Sequence, residues 1–173
     1  MLHFRQAILT DADSVARLVN SAYRGESSRA GWTTEADLLD GLRVSSREVR
    51  RLIESVDAII FLCFNDADLI GSICIENVQD TAQIGMFVVK PTLQGQGVGK
   101  QLLTAAENLA LETWAVQKFQ MHVITLRHAL ISFYERRGYQ RTGISSDFPV
   151  NAVMWQPKLD GLKLEAMEKY TTT

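Results

Sequence analysis

Cysteine is scarce in this 173-residue chain, with only Cys63 and Cys74, in separate apolar segments. Neither has the spacing of a metal site, which argues against a cysteine-ligated metal. Two buried, reduced thiols are expected, and no metal. No apolar run approaches the about eighteen residues of a membrane-spanning helix. The first residues, Met1-Leu2-His3-Phe4-Arg5-Gln6, lack the apolar core of a secretory signal. Nor is there an excess of base: 18 Lys and Arg face 20 Asp and Glu, a net charge of −2. The electrostatic footprint of a nucleic-acid binder is therefore missing. Repeats, linkers and low-complexity stretches are also missing. These absences lead us to expect a cytoplasmic protein with neither a nucleic acid nor a membrane as partner.

What remains is the composition of an ordinary globule, 46% apolar and 22% charged. The length suits one domain with a real core, expected over 1–158, followed by a tail at 159–173 with some helical propensity. Phe4–Leu9 reads as a first strand. Thr10-x-x-Asp13 resembles a capping box, and Val15, Leu18, Val19 and Ala22 place a helix over 11–22. Tyr23 to Thr34 reads as a loop, and apolar spacing predicts one or two helices in 35–55. Ala58–Phe64 and Leu69–Asn77 read as a hairpin around Asn65-Asp66-Ala67-Asp68, with 84–90 adding a strand. Further strands are expected at Phe119–Ile124, shortly after Tyr139, and at Ala152–Gln156.

The chemistry is concentrated between Ile84 and Leu102. An apolar strand, Ile84-Gly85-Met86-Phe87-Val88-Val89, runs through Lys90-Pro91 into Gln94-Gly95-Gln96-Gly97-Val98-Gly99-Lys100 and then an amphipathic helix. Glycine tolerates positive φ and lets a ligand approach the backbone. The first N–H groups of a helix have no intrahelical partner and can bind phosphate oxygens. A phosphate-bearing ligand is therefore expected. The spacing fits neither a P-loop, since Gln94 stands at its first glycine and Gln101 follows Lys100, nor a dinucleotide fingerprint, since Lys100 stands at its third glycine.

Gln94-x-x-Gly97-x-Gly99 resembles instead the Q/R-x-x-G-x-G/A signature of the GCN5-related N-acetyltransferases, and Val89-Lys90-Pro91 is similar to the family's V-x-P before it. Downstream, Arg127-x-x-Leu130-x-x-x-Tyr134-Glu135-x-x-Gly138-Tyr139 resembles the family's second block, with Arg127 where Asn is usual and Leu130 where Ala is usual. The resemblance implies an α/β fold with a mixed, mostly antiparallel sheet of six to seven strands flanked by about four helices. It also implies acetyl-coenzyme A as co-substrate and acetyl transfer to a primary amine by direct attack on the thioester. The main chain of Phe87, Val88 and Val89 would meet the pantetheine arm and thioester. Gln94, Gly95, Gln96, Gly97, Val98, Gly99 and Lys100 would hold the pyrophosphate. The Asn that usually contacts pantetheine is replaced by Arg127.

Such a transfer needs a neutral amine, a donor for the oxyanion and a proton for the departing thiolate. Tyr134 is the expected general acid, because a phenol titrating near about 10 stays neutral at pH 7. Gln83 stands where protein-lysine acetylating members often have Glu. Glu76 is the candidate base, with His122, Glu26 and Glu35 as other candidates. The acceptor, a small-molecule or peptide amine, would meet Tyr23 to Asp40. There Trp32 and surplus carboxylates suit a cationic amine, unless they form only a solvated helix face. A reading from another class is a non-catalytic acyl-coenzyme A sensor, motivated by Arg127 and the unclear base. Family members are often dimers, and the apolar final strand could pair across a homodimer interface.

Overall fold

The computed structural model describes residues 1–149 and 151–171. The strands are β1 (Leu2–Gln6), β2 (Leu39–Gly41), β3 (Ala58–Asn65), β4 (Asp68–Val78), β5 (Thr81–Val89), β6 (Lys118–Ile124), β7 (Gln140–Asp147), β8 (Trp155–Pro157) and β9 (Lys163–Tyr170). The helices are α1 (Ala12–Tyr23), α2 (Gly25–Ser28), α3 (Ser46–Glu54), α4 (Val98–Trp114) and α5 (His128–Glu135). Among the described residues, seven strands form one sheet in the order β1-β3-β4-β5-β6-β9-β7. Every pairing is antiparallel except β5 with β6. The α/β class and the mixed, mostly antiparallel sheet agree with expectation. No helix of the described residues is long and apolar enough to cross a membrane.

A core lies on each face of the sheet. On one, α4 lays Val98, Leu102, Leu103, Ala106 and Ala110 against Ile73, Ile75, Ile84 and Met121, the stripe that its 3.6-residue period prescribes. On the other, Val15, Val19 and Ala22 of α1 and Val49 and Leu52 of α3 cover Ile60, Leu62, Cys74, Met86 and Val88. Glu107 interrupts the stripe of α4. It accepts from the Tyr139 hydroxyl at 2.9 Å and the Lys169 ammonium at 2.9 Å, joining α4 to the chain after α5 and to β9.

Four local readings need correction. Of the one or two helices expected in 35–55 one is present, α3, capped by the Ser45 side chain on Glu48 N–H, and Leu39 before it falls in β2 instead of helix. Before it the chain turns at Gly41, whose φ is +93° and where a Cβ would lie 2.1 Å from the Met154 carbonyl oxygen. No other residue type fits there, so the helix cannot extend back through it. The capping box at Thr10 is absent. Asp11 accepts instead from Ile8 N–H at 2.8 Å and from Arg5. The strand expected at 152–156 is shortened to β8, which pairs with β2 outside the main sheet. Finally, the segment read as a tail supplies β9, which fits between β6 and β7. Its sequence, Lys-Leu-Glu-Ala-Met-Glu-Lys-Tyr, is rich in helix formers, but two open strand edges and a buried Ala166-Met167 override that preference.

Both cysteines are buried and free. Burial pushes the Cys63 thiol up to about 11 and, aided by Glu76, the Cys74 thiol up to about 12. Since the thiolate is the nucleophile, an alkylating reagent at neutral pH is expected to modify neither cysteine in the native protein and both in denaturant. Mass spectrometry after a timed exposure checks this. Modification of native protein at the rate of a free thiol would mean that β3 or β4 opens readily.

Candidate active site

The parallel pairing of β5 with β6 lasts only from Thr81–Lys118 to Gln83–Gln120. Beyond it the strands diverge, and Ile84 to Val89 keeps a main-chain edge that β6 does not occupy. A bulge sharpens the divergence. Ser72 pairs with Val88 and Cys74 with Gly85, so Met86 and Phe87 together face Ile73. Met86 takes φ +45°, which is uncommon for a side chain other than glycine and costs about 1–3 kcal/mol. Strain of this kind survives where the surroundings impose it. Here Met86 is anchored in the core under α1 and α3.

The gap opens into two cavities. One, of about 280 Å³, is lined by Trp32, Thr33, Phe87, Val89, Gln94, Gly95, Gly97, Gly99, Lys100, Leu130, Phe133, Tyr134, Arg136 and Arg137. The other, of about 290 Å³, lies on the side of α1 and β6, and its lining includes Tyr23, Arg24, Glu35, Arg43, His122, Arg127, Phe148 and Trp155. Phe87, Leu130 and Tyr134 belong to both. The two cavities therefore meet at the Tyr134 ring.

The structure thus gathers most of the residues singled out in the sequence. Phe87, Val89, Gln94, Gly95, Gly97, Gly99, Lys100 and Tyr134 line one space. Three of the expected cofactor-binding residues do not. The Val88 and Val98 side chains are buried in the two cores, and Gln96 is exposed outside the lining. The Gln94 side chain is turned to structural work. It donates to Thr33 Oγ1 at 2.7 Å and to the Val89 carbonyl at 2.9 Å, and accepts from Thr33 N–H at 3.1 Å. It fastens the loop 29–37 to the end of β5. Glu76 is exposed at the end of β4, in a third cavity that adjoins the second through Arg43, Gly85, Met86 and Trp155.

The first cavity suits a pyrophosphate. Gly95 and Gly97 have φ of +81° and +85°, and a Cβ on either would enter open space at the cradle itself. The first amides of α4 lack intrahelical partners and, with the helix dipole, favour an anion. Lys100, Arg136 and Arg137 add positive charge. Arg137 stacks on the Phe133 ring at 3.8 Å and donates to the Phe133 carbonyl, while its Nε is buried with no partner among the described residues. Burial, with Arg136 adding, lowers its pKa. Reading the chain missed Arg136 and Arg137. Their positions, just before Gly138 at the end of α5, were the available signal.

Two tyrosines face the junction in different ways. The Tyr23 hydroxyl donates to the Phe87 carbonyl at 2.9 Å, tying α1 to the bulge. Tyr134 is 6% exposed, packs against Phe87, Phe133 and Tyr139, and its hydroxyl bonds to none of the described residues. Burial holds its phenol well above the ordinary value. Tyr23 adds to the shift and Arg127 opposes it.

Arg127, at the position where Asn is usual, reaches across to the loop. It donates to Glu35 Oε2 at 3.0 Å and to the Thr33 carbonyl. Arg24 donates to Glu35 Oε1 at 3.1 Å. One carboxylate, buried to 7% exposure, thus serves two guanidinium groups. The other carboxylates of the region point elsewhere. Glu26 and Asp37 pair with Arg29, and Asp40 with Lys158, all exposed. The surplus of acid that suggested a cationic acceptor does not line the cavity.

A sequence model of the Acetyltransferase (GNAT) family matches residues 18–139. Solved structures agree in fold at low identity. The ribosomal-protein-S18-alanine N-acetyltransferase of Escherichia coli has a TM-score of 0.74 at 15% identity, covering 100% of this chain and 96% of that one. The paia N-acetyltransferase of Thermoplasma acidophilum, in complex with coenzyme A, has 0.71 at 18%, covering 99% of each. A spermidine N-acetyltransferase SpeG chimera from Vibrio cholerae and hSSAT has 0.71 at 17%, covering 98% and 95%. The match spans the bulged β5, the glycine turn, α4, β6 and α5 with Tyr134, and the chain belongs to the acetyltransferase (GNAT) family.

Proposed function

We propose that this protein transfers the acetyl group of acetyl-coenzyme A to a primary amine, with Tyr134 as general acid and His122 as general base. The observation that carries the proposal is the free Tyr134 hydroxyl at the point where the phosphate cradle and the second cavity meet. When bound, acetyl-coenzyme A supplies an acyl thioester. The glycine turn and the first amides of α4 would hold its pyrophosphate, aided by Lys100 and Arg137. The edge of β5 that β6 leaves at Phe87 and Val89, whose carbonyls already accept from Tyr23 and Gln94, would receive through its N–H groups the arm that leads to the thioester. An amine entering from the second cavity forms the N–C bond as the C–S bond breaks. Its proton leaves to a base, and Tyr134 protonates the sulfur.

His122 is preferred as the base to Glu76. It opens into the cavity that Tyr134 lines, it bonds to no described residue, and a neutral imidazole offers a lone pair. Glu35, the carboxylate in that cavity, is occupied by Arg24 and Arg127. Glu76 opens into the adjoining space. Thiol release from acetyl-coenzyme A, over the hydrolysis background, tests the reading with polyamines, aminoglycosides, free amino acids and short peptides as acceptors. Amine-dependent release is expected, and His122→Gln should lower kcat by about 100-fold while Glu76→Gln stays within about threefold. No release with any amine, from protein that binds coenzyme A, would favour a non-catalytic sensor. The reverse order of the two variants would move the base to Glu76.

A further inference from the structure

The geometry points to an acceptor that carries its own carboxylate, an amino-acid-like small molecule whose acid group is held by Arg43 while its amine reaches the Tyr134 junction. The inference rests on the transferase reading and adds the class of acceptor. It begins from a charge count in the second cavity. Three guanidinium groups, Arg24, Arg43 and Arg127, line it against one carboxylate, Glu35. Glu35 already serves Arg24 and Arg127. Arg43 is left without an ion pair or side-chain hydrogen bond among the described residues, in a space whose other lining includes His122 and the aromatic rings of Tyr23, Phe148 and Trp155. A polyamine entering this cavity would meet net positive charge on apolar walls, where repulsion is less screened than in water.

Arg43 is also presented deliberately. The Asn20 side chain accepts from the N–H of Arg43 at 2.8 Å and of Val44 at 3.1 Å, and donates to the Val44 carbonyl at 2.9 Å. Arg24 holds the preceding carbonyl, that of Leu42, at 3.1 Å. The backbone of Arg43 is therefore clamped from α1, and only its long side chain is free to move. Its charge is felt within the site. Burial raises the Tyr23 phenol and Glu35 raises it further, while Arg43, Arg127 and Arg24 all oppose the shift. The acids nearest on the far side do not neutralise Arg43. Glu48 pairs with Arg51 at 2.7 Å, and Glu76 lies beyond ion-pair distance.

Guanidinium is the side chain suited to a carboxylate, because its planar fork donates two parallel hydrogen bonds. The cavity volume of about 290 Å³ falls at the small end of ligand pockets, which suits a compact molecule better than a chain.

The test compares free L-amino acids with their carboxamides, and with spermidine, as acceptors of the full-length protein. For the best acceptor, kcat/KM of the acid should exceed that of its amide by at least ~tenfold, the worth of a charge-assisted hydrogen bond. Arg43→Gln should remove that preference, and Arg43→Lys should restore part of it, since the charge returns without the fork. Calorimetric titration of the acid into protein saturated with coenzyme A gives a readout that needs no turnover, with coenzyme A affinity as the check on folding. Arg43-dependent binding of the acid without any transfer would sink the transferase reading and leave only the carboxylate site at Arg43 standing. Transfer to amides or spermidine as fast as to acids would leave the transferase and overturn the carboxylate. A preference that persists in Arg43→Gln, or no binding of any acid, would overturn it as well.

Discussion

Tyr134→Phe is expected to lower kcat about 100-fold, within the range of one general acid, while coenzyme A affinity stays as in the native protein. The substitution removes one oxygen and keeps the ring that packs on Phe87, Phe133 and Tyr139. The hydroxyl makes no hydrogen bond within the described residues, so its removal orphans no partner and should leave the melting temperature near that of the native protein. The raised pKa has a consequence with a definite sign. A group acts as an acid below its pKa, and burial has moved that of Tyr134 upward, so the acid form persists at every working pH. The alkaline side of the rate profile should then show no loss from this phenol up to about pH 10. A stronger hold on the proton does not disable the acid. The same water-poor surroundings disfavour the departing thiolate, so the two affinities rise together. Stopped-flow thiol release across pH checks both points. A change of less than about threefold in kcat would remove Tyr134 from the chemistry.

The second large effect is on stability. Glu35→Ala should destabilise the fold by about 3–5 kcal/mol, because it leaves Arg24 and Arg127 as buried charges with no counter-ion. For a chain of this size that is a fall of roughly 10 °C in Tm. Glu35→Gln, which keeps the shape and an acceptor oxygen, should cost less. Urea and thermal unfolding of the three proteins measure this. The loop 29–37 should loosen as well, since Arg127 fastens it through both Glu35 and the Thr33 carbonyl. A loss near zero for Glu35→Ala would mean that water enters and solvates both guanidinium groups, and that Gln94 and the Arg127 bond to the Thr33 carbonyl suffice to hold the loop.

How legible the molecule is from its sequence depends on how local each feature is. The glycine turn and Tyr134 can be read because their geometry is made within a few residues: Gly97 must take positive φ where it stands, and Tyr134 is set by the turn of α5. The pairing of β2 with β8 cannot be read, since three residues at 39–41 acquire strand character only from partners at 155–157. The same is true of charge. Glu35 and Asp37 are neighbours in the chain, yet one is buried between two arginines and the other lies exposed on Arg29. Composition counted both as acid facing a substrate, and only the folded arrangement separates them. Arg43 carries no motif at all. Its role is defined by Asn20, on a different element.

The placement of β9 has a consequence for how the protein comes into being. Chains emerge from synthesis N-terminus first, and among the described residues β7 pairs with no strand but β9. When the glycine turn, α4 and Tyr134 have already appeared, β6 still shows a bare edge and β7 has nothing to join. The insertion of 163–170 closes both gaps at once and brings Lys169 to Glu107. The half of the molecule that carries Tyr134 is thus completed last, and a nascent chain holds its glycine turn before it has a finished wall around the two cavities.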